Sequence, residues 1–218
     1  MTGAMCFSAK AILAKLMYRE GAQALDVLAL RMIFSLPFFI GLGWWARRTQ
    51  PYRMTLRDYG MVFVVGSAGY YLASLFDFMG VEYISVGLER LILFLTPSIV
   101  LIMSRFVLKK PIDAKQWLAM GLAYAGIALV FWHEVGSGGS NIPLGSFLVF
   151  ASAVSYASYL LMTGELVKRL GTLRLLFYAM LVSTFLSVTH YAIARDIHDL
   201  WAQHSVVYSY SMVNAVLC

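Results

Sequence analysis

The chain has 218 residues, 61% hydrophobic and 13% charged, with a formal net charge of +6. A soluble globular chain carries about a quarter charged residues, so that class is excluded. Nucleic-acid binding is excluded too, because no basic patch is interleaved with aromatic residues and the positive charge collects between apolar runs.

Taken in chain order, the apolar runs predict helical spans near 2–17, 27–45, 59–79, 84–106, 115–133, 144–163 and 173–194. An eighth begins at 205 and reaches the last residue, 218, after 14 residues. A bilayer core of ~30 Å takes ~20 apolar residues per spanning helix. Backbone groups at that depth must be satisfied within the segment, which favours helices. A β-barrel strand would alternate apolar and polar residues, and 92–102 and 118–132 do not. The fold class is therefore an all-α polytopic membrane protein.

Basic residues fall in every second gap. Arg47, Arg48, Arg53 and Arg57 follow the second span; Arg105, Lys109, Lys110 and Lys115 surround the gap after the fourth. Lys168, Arg169 and Arg174 follow the sixth, so these gaps hold eleven of the 17 basic residues. The alternate gaps hold Arg19 and Arg195. Basic loops stay cytoplasmic. The expectation is a multi-pass protein of the cytoplasmic (inner) membrane with a cytoplasmic N-terminus. No basic region or small-residue cleavage site precedes the first run, so no cleaved signal peptide is expected.

The loop 134–143 contains Gly136-Ser137-Gly138-Gly139-Ser140, a flexible linker composition. It lacks the Lys-Ser/Thr of a phosphate loop. It divides the chain into a first repeat (1–133) and an incomplete second repeat (144–218). Phe7-Ser8-Ala9-Lys10-Ala11 opens the first block, and Val154-Ser155-Tyr156-Ala157-Ser158 lies in the matching span of the second. Each is followed by a charged gap and a span that opens with Arg, in Leu30-Arg31-Met32 and Leu173-Arg174-Leu175. Five spans per block would insert the second block upside down. That makes an inverted-repeat helical bundle, with a binding site near the midplane.

Ionisable residues at membrane depth cost about 2.5–3.5 kcal/mol on insertion scales, so each needs a reason. Lys10 lies mid-run and either lines a cavity, binding a carboxylate, or pairs with an acid. Lys15 is placed to snorkel. Arg31 near the start of its span reads as a headgroup contact or a structural pair, with Asp26 as partner. Tyr70, Tyr71 and Ser74 lie beside Gly66 and Gly69, which permit close helix approach; Tyr70 and Ser74 are candidates to hydrogen-bond a solute. Asp77 and Glu82 bracket an expected outward turn, as a gate or as solvated groups. Glu89 and Arg90 point about 100° apart on a helix, as a structural pair or as a substrate or proton-coupling site. Pro97 is expected to kink its span, and Gly121 and Gly126 to pack. The substrate-binding set is thus Lys10, Arg31, Tyr70, Ser74, Glu89 and Arg90. Cys6 and Cys218 lie at opposite ends and give no disulfide framework. No metal spacing or catalytic triad appears among His133, His190, His198 and His204, so no enzyme activity, metal or cofactor is expected.

Several stretches carry a resemblance. They are Phe7-Ser8-Ala9-Lys10-Ala11-Ile12-Leu13-Ala14-Lys15, Leu28-Ala29-Leu30-Arg31-Met32 with Pro37-Phe38-Phe39, Gly69-Tyr70-Tyr71-Leu72-Ala73-Ser74, Asp77-Phe78-Met79-Gly80-Val81-Glu82-Tyr83-Ile84-Ser85 and Gly87-Leu88-Glu89-Arg90-Leu91-Ile92-Leu93-Phe94-Leu95-Thr96-Pro97. In this order they resemble the EamA family of the drug/metabolite transporter superfamily. The resemblance implies ten helices in two inverted five-helix repeats, cytoplasmic termini, a central cavity, and transport, often export, of small metabolites such as amino acids. With seven spans and part of an eighth, the chain is expected to be truncated relative to that pattern. The expected function is secondary transport by alternating access; the alternative is a non-transporting membrane subunit or a fragment that needs a partner chain. Expected partners are the lipid bilayer and a small-molecule substrate, with a homodimer left open.

Overall fold

The structure, a computed structural model, describes residues 2–49, 54–109, 111–136, 141–201 and 203–217. Arg53, Lys110, Cys218 and the Gly-Ser stretch 137–140 lie outside the described residues. The helices are α1 (Thr2–Arg19), α2 (Ala24–Thr49), α3 (Leu56–Gly66), α4 (Ala73–Tyr83), α5 (Val86–Leu93), α6 (Thr96–Val107), α7 (Ala114–Gly136), α8 (Ile142–Leu170), α9 (Thr172–Ala194), α10 (Ile197–Trp201) and α11 (Ser205–Leu217). Six segments are long and apolar enough to cross a membrane: Ala24–Trp45, Leu56–Tyr83, Val86–Val107, Ala114–His133, Ile142–Gly164 and Thr172–Ala194. The first expected span forms as α1 but is not among these six; it carries Lys10, Lys15 and Arg19.

Segment Leu56–Tyr83 is continuous, but a π-helical turn, Ser67–Leu72, joins α3 to α4. Such wide turns are frequent at functional sites. Serines of α8 secure it: the Ser155 hydroxyl donates to the Ala68 carbonyl and that of Ser152 to the Ala73 carbonyl, both at 2.7 Å.

The chain turns at Ile84-Ser85, where extended Ser85 caps α5 by accepting from the Leu88 amide at 3.1 Å. Pro97 does more than kink its span. It sits in the first turn of α6 and separates α6 from α5. A proline there lacks the amide that would bond the carbonyl four residues back. That carbonyl belongs to Leu93, and the Thr96 hydroxyl takes it at 2.7 Å.

The expected turn after Met79 is absent. Helix α4 continues to Tyr83, so Asp77 and Glu82 lie on a helix rather than bracketing a turn. Gly80, between Asp77 and Glu82, is a crossing point: a Cβ there would lie 2.8 Å from the Gly145 carbonyl oxygen and 2.5 Å from Val149. The α4–α8 and α2–α9 packings are the most extensive in the molecule. Gly121 and Gly126 behave oppositely to expectation. Nothing lies within 4 Å of a Cβ at either, because only 6% of the α7 span is buried.

Polar clasps hold both ends of the bundle. At the end where α2 begins, buried Asp26 accepts from the Gln23 amide (2.7 Å), the Tyr191 hydroxyl (2.9 Å) and Arg195 (3.4 Å). Arg195 also donates to Gln23. Asp26 thus partners α9 and the residue after it, not Arg31 as expected. At the opposite end Asp58 joins Thr55 in a reciprocal cap of α3 and pairs with Arg169 at 3.3 Å.

Gly80→Val is expected to lower stability by about 1–3 kcal/mol through overpacking. Gly121→Ala should be neutral or stabilising by up to ~1 kcal/mol, as for a helix-interior glycine with open space around it. Thermal unfolding of the two variants in detergent checks both.

Candidate functional site

Helices α1 and α4 run parallel, and equal spacing on each brings opposite charges together. Lys10 and Lys15 are five residues apart on α1, as are Asp77 and Glu82 on α4. The Lys10 ammonium lies 2.6 Å from Asp77 Oδ2, with both side chains almost wholly removed from solvent. One level up, Lys15 reaches the Glu82 carbonyl oxygen at 3.5 Å. The Glu82 carboxylate turns aside to accept from the Ala24 amide at 2.7 Å, at the start of α2. A carboxylate at a helix N-terminus satisfies an orphan amide and complements the helix dipole.

Phe78 is the centre of the cluster. The Lys10 ammonium stands 4.8 Å from its ring centroid and the Arg31 guanidinium 5.6 Å. Cations near an aromatic face are attracted by its quadrupole. Arg31 also donates to the Ser74 hydroxyl at 3.3 Å. Tyr18 donates to the Phe78 carbonyl at 2.9 Å.

Glu89 is the most enclosed charged residue of the cluster, with no exposed surface. Arg90 Nε lies 3.0 Å from its Oε2. The adjacent pair divides as the helix angle requires: Glu89 is fully buried, whereas Arg90 keeps 13% of its side chain exposed.

Of the six expected site residues, five gather here: Lys10, Arg31, Ser74, Glu89 and Arg90. The sixth, Tyr70, faces α8, where its hydroxyl meets that of Tyr159 at 3.1 Å in an edge-on ring pair. Tyr71 reaches α9, 2.6 Å from His190 Nδ1. Sequence reasoning missed Asp77 as a member of the cluster. The signal was present in the matched five-residue spacing of two lysines and two acids, once α1 and α4 are taken as parallel helices. Among the described residues no three His, Cys, Asp or Glu come together to hold a metal ion.

This cluster places three cations and two carboxylates within four helices of the first 132 residues, and the EamA-like transporter family matches residues 1–132. The chain belongs to that family. It is also 29% identical over 186 residues to a Bacillus subtilis (strain 168) protein named "Uncharacterized transporter YcbK". The match covers 83% of this chain and 58% of that relative, so the chain spans a little over half of the relative's length. No solved structure matches. Family match and six apolar helices together make this chain a multi-pass membrane protein of the EamA-like transporter family.

Lys10→Met would leave Asp77 charged and buried without its ammonium, an expected cost of about 3–5 kcal/mol. Adding Asp77→Leu to Lys10→Met should recover most of it. A double-mutant cycle on thermal unfolding in detergent measures the coupling.

Proposed function

We propose that this chain carries the solute-binding half of a secondary transporter that moves small metabolites such as amino acids out of the cell by alternating access. The observation that carries the reading is the buried cluster of both charge signs at membrane depth. Lys10, Arg31 and Arg90 suit a carboxylate, Asp77 and Glu89 suit an ammonium, and Ser74 and Phe78 supply a hydroxyl and an aromatic face. A zwitterionic solute presents both charges. Ionisable groups held inside a membrane generally mark a transport pathway.

The packing supports two inverted repeats, 1–133 and 144–218, joined by the loop 134–143. In such a repeat α1 corresponds to α8, the Leu56–Tyr83 segment to α11, and α2 to α9. Packing of α4 against α8 then has its symmetry mate in packing of α11 against α1, and α2 against α9 is its own mate. All three packings are present. Alternating access by inverted halves places the solute between them. The distribution of basic residues supports a cytoplasmic N-terminus in the inner membrane, so that α1 ends at the outer face.

A second reading, a membrane subunit that transports only with a partner chain, draws on α7. Trp117, Leu118, Leu122, Leu129 and Trp132 of that helix are exposed apolar side chains, available to lipid or to another helix.

Reconstitution in liposomes loaded with an equimolar mixture of labelled L-amino acids tests the proposal. Efflux above that of empty liposomes is expected. Lys10→Met or Glu89→Gln should reduce it ~10–100-fold, the loss that follows from removing one charged hydrogen bond. Folded protein without efflux would favour the subunit reading.

A further inference from the structure

At the end where α1 finishes, an open cleft of about 820 Å³ is lined by Lys15, Tyr18, Arg19, Gln23 and Glu82, with Gly21 and Ala22. Its volume falls within the ~300–1,000 Å³ range of small-molecule sites. It lies apart from the buried cluster, and none of the six expected site residues lines it.

Its walls repeat the chemistry of the cluster below. Lys15 and Arg19 bring two cations from α1, and Glu82 brings a carboxylate from α4. Lys15 and Glu82 lie one level along the same two parallel helices from Lys10 and Asp77, with Lys15 at the Glu82 carbonyl oxygen and the Glu82 carboxylate on the Ala24 amide. Tyr18 stands between the levels. It lines the cleft, and its hydroxyl donates to the Phe78 carbonyl at 2.9 Å. Phe78 in turn carries Lys10 and Arg31 near its ring.

We infer that the cleft is a second, outer solute station for zwitterions, with Tyr18 as the partition between it and the buried cluster. The inference rests on the transport reading above. Lys15 and Arg19 receive the solute carboxylate and Glu82 its ammonium.

The test uses right-side-out membrane vesicles and a variant with Cys6→Ser and Cys218→Ser that carries Gln23→Cys in the cleft. A membrane-impermeant thiol reagent labels it, with an equimolar mixture of L-amino acids as the probe. The mixture is expected to slow labelling several-fold. Lys15→Met or Glu82→Gln should abolish that protection, and Glu89→Gln, which removes a charge from the lower site and leaves the Lys10–Asp77 register in place, should leave it. Absent protection, protection that survives both Lys15→Met and Glu82→Gln, or protection lost with Glu89→Gln would each overturn the outer station. Flux of the labelled mixture in the same vesicles separates the two readings: flux without protection removes the station alone, and protection without flux keeps the station and removes transport. Tyr18→Phe retains the ring but not the hydroxyl. It should make Ser74→Cys react faster from outside, and unchanged reactivity would overturn the partition.

Discussion

The Lys10–Asp77 ion pair organises the first half of this molecule. Both charges are removed from solvent, and either alone would be expensive at that depth. Their pairing fixes the register of α1 against α4, because a slip of one residue would part them. That register sets where Lys15 meets Glu82 and where Tyr18 meets the Phe78 carbonyl. It also brings Phe78 beneath Lys10 and Arg31, and Asp77 beside Glu89. One contact thus positions groups on α1, α2, α4 and α5.

The bundle as a whole depends on polar contacts at its margins as well. Asp26 with Arg195 and Asp58 with Arg169 each connect the first 133 residues to the later helices, at opposite ends. In hydrocarbon, helix association gains little from apolar burial and relies on close packing and hydrogen bonds. The glycine crossing of α4 on α8 supplies the first, and the hydroxyls of Ser152 and Ser155 on α8 supply the second.

The apolar runs made the helical spans legible in the sequence, since length and hydropathy alone set them. Lys10, Arg31, Glu89 and Arg90 stood out as candidates because buried charge in such runs is rare. Local signals with two meanings were not. Gly80 reads equally as a turn and as a place where another backbone comes close, and only the position of Gly145 decides. Asp77 and Glu82, expected to bracket a turn there, lie on the continuing helix. Asp26 and Arg31 are five residues apart in sequence, but the first is claimed by Tyr191 and Arg195 from α9 and beyond, and the second by Ser74 and Phe78. Long-range competition of that kind leaves no trace in local spacing. The π-helical turn and the Thr96–Leu93 bond were equally silent.

Helix α7 carries a different kind of consequence. Its span is 6% buried, and a Cβ at Gly121 or Gly126 would meet nothing within 4 Å. With few neighbours among the described residues, the helix is held less by a jigsaw of specific side chains than by the hydropathy of its surface. Exchanges among Leu, Ile, Val, Phe and Met along it leave its partition into lipid almost unchanged. Natural variation at these positions should therefore conserve hydropathy and lose identity, while the helices around Phe78 keep both.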